Sequence, residues 1–212
     1  MHNKLAIAYG YPKPWKMPPI DSLIAVILSQ NTSDINSFKA FDKLKKKYSS
    51  WEKILNAPEK EIAKTIKEGG LANIKAKRIK TVLLQIVEKT GKLDLQFLSN
   101  YSPKAAREYL MQFSGVGPKS AAVVVAFAFE KPAFPVDTHI FRVLKRIPLI
   151  PQNTSYEKAH ELMEEICPDE LKIPLHAEII AHGRKICKAK NPICSNCVIR
   201  EECLRVGVSK SS

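Results

Sequence analysis

Four of the five cysteines follow one another near the end of the chain, Cys187, Cys194, Cys197 and Cys203, in "CKAKNPICSNCVIREEC" with the spacing C-x6-C-x2-C-x5-C. Thiolates at that density cross-link or hold metal. A disulfide knot is disfavoured because the N-terminus carries no secretory signal. Four thiolates suit tetrahedral zinc, although zinc ribbons pair two short C-x2-4-C units and only one is present. A [4Fe–4S] cluster takes four thiolates from one compact loop, and this spacing is not that of a ferredoxin-type electron carrier. Cys167 lies outside the pattern and reads as a buried apolar thiol. A second stretch, "FSGVGPKSAAVVVAFAF" (113–129), sets one lysine, Lys119, at the head of a long apolar run. A charge there is costly unless it is used. Just before it, Gly115, Val116 and Gly117 can turn tightly and bring backbone close to another molecule. Pro118 then opens a helix whose first N–H groups have no partners and suit a phosphate. The plainer reading of the turn is an ordinary helix–helix connection. Asp137, ahead of "THIFRVLKR", has the position of a helix N-cap.

The elements that must hold these residues are helical by period. Ile20, Leu23, Ile24, Ile27 and Leu28 follow one helix face after Pro18-Pro19, and Ile35, Phe38, Phe41, Leu44 and Tyr48 make a looser second stripe. "APEKEIAKTIKEGG" reads as a short helix stopped by Gly69-Gly70. Ile79, Val82, Leu83, Ile86 and Val87 form a stripe closed by Gly91. Ser102-Pro103 opens a helix through about Gln112, Thr154 and Glu157 have capping-box spacing, and Leu175, Ile179, His182 and Ile186 mark the last long helix. No alternating strand pair or Asn-Gly hairpin signal interrupts this, so the predicted class is all-α.

The chain has 212 residues, 45% of them hydrophobic, and a formal net charge of +13. That composition fits a packed domain or two lobes sharing an interface, not a disordered chain. The charge points to a polyanion partner; a lysine-rich solvated surface is the bland alternative. No apolar run approaches the ~18–20 residues of a membrane span, and no signal or transit segment is evident. The expectation is a soluble cytoplasmic protein with no membrane partner.

The cysteine spacing resembles the C-terminal iron–sulfur loop of the endonuclease III family of DNA glycosylases. "FSGVGPKSAAVVVAFAFEKPAFPVDTHIFRVLKR" is similar to that family's helix-hairpin-helix and catalytic segment, and the likeness extends over about residues 15–205. The resemblance implies a two-lobed all-α fold. A six-helix barrel would occupy 20–130, and an iron–sulfur cluster domain 1–19 plus 131–212. It implies a [4Fe–4S] cluster on Cys187, Cys194, Cys197 and Cys203, with Lys119 as catalytic lysine and Asp137 as catalytic aspartate. Members that cut only the glycosidic bond carry serine or tyrosine at the lysine position. A helix N-terminus together with partial burial would hold the Lys119 amine neutral for attack on the sugar.

Around the catalytic pair, the resemblance makes Gly115, Val116 and Gly117 a phosphate grip and "SQNTSD" a loop that fills the space left by a flipped base. Asn31 stands at the family's glutamine position with Gln30 just before it, so either could fill that space. Leu71 becomes an apolar wedge, and Lys75, Lys77, Arg78, Lys80, Lys188 and Lys190 become phosphate contacts. His139 orients its segment or packs; His160, His176 and His182 read as helix-face residues. The implied activity is a bifunctional DNA glycosylase and abasic-site lyase of base excision repair, removing oxidised pyrimidines from double-stranded DNA. It would act as a monomer, nucleoid-associated in a prokaryotic or archaeal cell. A glycosylase for mismatched, alkylated or oxidised-purine bases, and a non-catalytic iron–sulfur DNA-binding module, are the alternatives.

Overall fold

Prolines and serines set the helix starts. A computed structural model describes residues 1–10, 16–209 and 211. Among these, the α-helices are α1 (His2–Tyr9), α2 (Pro19–Ser29), α3 (Asp34–Lys47), α4 (Trp51–Asn56), α5 (Glu59–Thr65), α6 (Ala72–Thr90), α7 (Pro103–Leu110), α8 (Pro118–Ala128), α9 (Thr138–Arg146), α10 (Tyr156–Ile166) and α11 (Asp169–Lys185). No strand occurs among the described residues, and the fold is the all-α one expected. No described helix is long and apolar enough to cross a membrane. Pro19, Pro103 and Pro118 occupy first-turn positions, where a missing N–H costs nothing. Ser33, Ser50, Ser102 and Ser155 each accept a hydrogen bond from the backbone N–H three residues on.

The chain divides into two compact units, Lys16–Lys131, and Met1–Trp15 with Pro132–Ser212. The first unit is organised on α2, where Ile20 and every residue from Ser22 to Leu28 are buried. A helix apolar on nearly all sides has neighbours on all sides, and α2 packs on α3, α6 and α8. The alanines and valines of α8 form its other buried element. Each fully buried Leu or Ile here contributes roughly 1.5–3 kcal/mol.

The second unit closes on Leu5, Phe134, Val136, Ile140, Val143, Leu144, Met163, Leu175 and Ile179. Gly183 lets α11 run close to α9, since a Cβ there would stand 3.0 Å from that of His139.

Three local expectations change. Ile35 and Phe38 are exposed, and the buried line of α3 is instead Ser37, Ala40, Phe41 and Leu44. The cap of α10 is Ser155, whose hydroxyl takes the Lys158 N–H, so the Thr154–Glu157 pairing is one residue out of register. α7 stops at Leu110 because Met111 to Phe113 tighten into turns toward the hairpin.

Candidate active site and nucleic-acid interface

The hairpin between α7 and α8 is anchored by its apolar residues. Phe113 and Val116 are buried, at 2% and 5% exposure. Val116 anchors the turn by its side chain, and its N–H donates to the Phe113 carbonyl at 3.1 Å, so it holds the turn and offers a ligand no N–H of its own. Gly115 takes the left-handed φ of +77° that the turn requires. Gly117 is the N-cap of α8 with no side-chain bond to the helix's first N–H groups. Lys119 follows at the second helical position, and its side chain is exposed. The partial burial expected of it is absent, because the buried face of α8 begins at Ser120 and Lys119 faces the other way.

The α2 end and the α6 start are built around this hairpin. Gln30 donates from Nε2 to the Gly115 carbonyl (3.1 Å) and to Ser120 Oγ (3.4 Å), while Arg78 Nη1 donates to Gln30 Oε1 at 2.5 Å. Gln85, two turns further along α6, accepts the Ser114 N–H at 2.9 Å. Asn31 is exposed and sits at φ 54°, in the left-handed region. Leu71 is likewise left-handed at φ 49°, and about half exposed, as the N-cap of α6.

Two lysines taken as phosphate contacts are engaged internally. Lys75 is 2% exposed and donates to the Leu28 and Gly69 carbonyls at 2.6 and 2.8 Å. Burial, then the nearby Arg78 charge, lowers its pKa. Lys80 donates to the Ala57 carbonyl at 2.7 Å. Lys77, Lys188 and Lys190 are exposed.

Asp137, in the other unit, is buried and caps α9, its Oδ1 accepting the Ile140 N–H at 2.7 Å. The extended segment leading to it is held group by group. Glu164 accepts the Phe134 N–H at 2.8 Å, His176 Nδ1 donates to the Pro135 carbonyl at 2.7 Å, and Tyr156 donates its hydroxyl to the Val136 carbonyl at 2.6 Å. Glu164 also pairs with buried Lys172 at 3.1 Å. Burial, then the Asp137 charge, pushes the Tyr156 pKa up to about 12, so it stays a donor at any neutral pH. Glu164, Tyr156 and Lys172 were invisible as a frame in the sequence; they are brought to one strand-like segment from two helices by tertiary packing. His139 lies 3.2 Å from Arg142 Nη2 and packs against Gly183.

Cys187, Cys194, Cys197 and Cys203 are unbridged and line one recess together with Arg146, Ile147, His182 and Ile199. Arg146 holds the loop from beneath, donating to Cys187 Sγ (3.3 Å), the Lys188 carbonyl (2.6 Å) and the Ala189 carbonyl (3.1 Å). The Arg205 N–H donates to Cys203 Sγ at 3.4 Å, and His182 Nε2 is 3.6 Å from Cys197 Sγ. Burial pushes the Cys197 and Cys203 thiols up, and the neighbouring sulfurs push them further. Four sulfurs around one recess, with Arg146 donating to Cys187 and the Arg205 N–H to Cys203, are the donor set a [4Fe–4S] cluster takes, while no three His, Cys, Asp or Glu among the described residues are gathered into a site for a metal ion. Cys167 is buried, and burial raises its thiol to about 11.

Residues 24–169 match the family described as HhH-GPD superfamily base excision DNA repair protein. A protein of Arabidopsis thaliana provisionally named a DNA glycosylase is 37% identical over 178 residues, which are 84% of this chain and 58% of that protein, so the chain spans little more than half of that relative's length. The endonuclease III of Thermotoga maritima is 34% identical over 185 residues, 87% of this chain and 82% of the relative. Among solved structures, a non-covalent endonuclease III–DNA complex superposes with a TM-score of 0.83 at 29% identity, over 96% of this chain and 92% of that one.

Proposed function

The chain belongs to the HhH-GPD superfamily of base excision DNA repair proteins, and on that premise we propose that it is a bifunctional DNA glycosylase and abasic-site lyase acting on oxidised pyrimidines in double-stranded DNA. The observation that carries the reading is Lys119, an exposed amine one residue into α8 behind an uncapped helix N-terminus. DNA seated over the hairpin would remove the remaining water from the amine.

The neutral Lys119 amine attacks C1′ of the damaged nucleotide. The N–C1′ bond forms, the glycosidic bond breaks, and its electron pair leaves on the base with a proton. The C1′–O4′ bond then breaks, its electron pair and the second amine proton go to O4′, and the ring-opened sugar is left as an imine. The C2′ proton is then acidic; its removal and departure of the 3′ phosphate break the strand. Asp137 stabilises positive charge building on the sugar, as carboxylates do in glycoside cleavage. Its frame of Tyr156, His176 and Glu164 fixes where that charge sits. Backbone N–H groups of Gly115, Gly117 and the first turn of α8 hold a phosphate without reading sequence, while the Val116 N–H closes the turn on Phe113.

Cys187, Cys194, Cys197 and Cys203 would hold a [4Fe–4S] cluster. Such a group supplies a rigid tie among four points of the C-terminal loop. Lys188 and Lys190, on that loop and exposed, then meet phosphates. Exposed Lys77 does the same beside Leu71, whose left-handed turn lifts an apolar side chain into solvent where it can wedge between bases.

A set of duplexes, each with one lesion, tests the substrate. Thymine glycol should be excised with strand cleavage on its 3′ side. Efficient excision of only mismatched, alkylated or oxidised-purine bases would replace the substrate; excision with an intact abasic strand would remove the lyase step.

A further inference from the structure

The side chain of Gln30 has both ends of its amide engaged. Its Nε2 reaches the Gly115 carbonyl and Ser120 Oγ, and its Oε1 receives Arg78. Those contacts grip the chain on either side of Lys119, four residues before it and one after. Arg78 closes the grip from outside: a Cβ on Gly115 would lie 2.3 Å from Arg78 Nε, so the guanidinium side chain rests on the bare face of the turn.

We infer that Gln30 and Arg78 are positioning residues that set the hairpin carrying Lys119. This rests on the glycosylase–lyase reading above. Gln30 faces its own protein and governs rate. Lending Gln30 to a gap in DNA would strip Arg78 of its acceptor and Gly115 of its donor together.

The test is borohydride trapping on duplexes with one abasic site opposite A, C, G or T, with affinity measured separately on an uncleavable abasic analogue. Gln30→Ala and Arg78→Met should each lower the saturating trapping rate by ~10–100-fold, by one common factor for all four opposite bases, with affinity nearly unchanged. Gln30→Glu keeps the acceptor for Arg78 but loses the donor to Gly115, and should recover part of the rate. Thermal melts confirm that each variant is folded; if Gln30→Ala melts early, Arg78→Met, which leaves the Gln30 bonds to Gly115 and Ser120 in place, must show the same uniform loss. A Gln30 variant that changes opposite-base preference, or leaves the saturating rate intact, overturns the inference while the lyase reading stands. Failure of the unaltered chain to trap would overturn both.

Discussion

Lys75 places its buried ammonium 2.6 Å from the Leu28 carbonyl and so fastens the first turns of α6 to the last turn of α2. The same nitrogen reaches Gly69, and Arg78, one turn on, reaches Gln30. Three loops, at 30–31, 69–71 and 113–117, are therefore tied to one short stretch of α6. Replacing Lys75 with Met keeps the volume but leaves two buried carbonyls without donors, at ~1–3 kcal/mol each. Lys75→Met should lower unfolding stability by about 2–6 kcal/mol in a denaturant titration.

The pH dependence of that tie has a definite sign. Burial, then Arg78, holds the Lys75 pKa below its ordinary 10.5. Between the folded and the unfolded value the unfolded chain binds the extra proton, so stability gains from rising pH across that window. Lys75→Met removes this term. Comparing denaturation midpoints of the two proteins on the alkaline side of neutral should show the wild type gaining relative to the variant as pH climbs.

Asp137→Asn separates chemistry from architecture. Asparagine is as good an N-cap as aspartate, so α9 should keep its start and stability should move by less than ~1 kcal/mol. Base removal should fall strongly because the anion is gone, and DNA affinity should hardly change. Single-turnover excision beside a binding isotherm checks this, and an equal loss in both would contradict it.

Much of this arrangement was legible before any coordinates. The apolar stripes of α2 and α6, Pro118 ahead of α8 and the cysteine spacing are local signals, and each fixes its own element. What was not legible is pairing across the chain. Lys75 sits in a run with Lys77, Arg78 and Lys80 and looks solvated; only the approach of the Leu28 and Gly69 carbonyls makes it internal. Ile35 and Phe38 look like core because they are apolar at helical spacing, yet the smaller Ser37 and Ala40 take the inner face, where Gly69 approaches to 3.1 Å of the Ala40 Cβ from an ideal Cβ position. Likewise nothing in the sequence links Tyr156 or Glu164 to the segment before Asp137, because a hydrogen bond to a backbone carbonyl or N–H leaves no residue pattern on the side that receives it.

The cysteine loop makes its own prediction. Iron and acid-labile sulfide should each approach about four per chain, with broad visible absorbance. Cys197→Ser, beside His182, should lose that absorbance and soften the C-terminal loop to proteolysis while α2 to α8 keep their protection from hydrogen exchange. One equivalent of zinc with no sulfide would contradict the cluster.

The +13 charge should appear as counterion release. Affinity for an undamaged duplex should fall steeply and linearly with salt on a double-logarithmic plot, with a slope near −0.9 for each phosphate neutralised. Removing exposed Lys188 and Lys190 together should lower that slope by about two. Removing buried Lys75 should leave it unchanged, since that ammonium faces carbonyls and not solvent.

The most direct measurement is the site of the covalent bond. The protein is treated with borohydride on a duplex holding an abasic site, digested, and sequenced by mass spectrometry. One deoxyribose-derived adduct is expected, on Lys119, and none with Lys119→Gln at equal DNA occupancy. An adduct on another lysine, or undiminished trapping by Lys119→Gln, would contradict it.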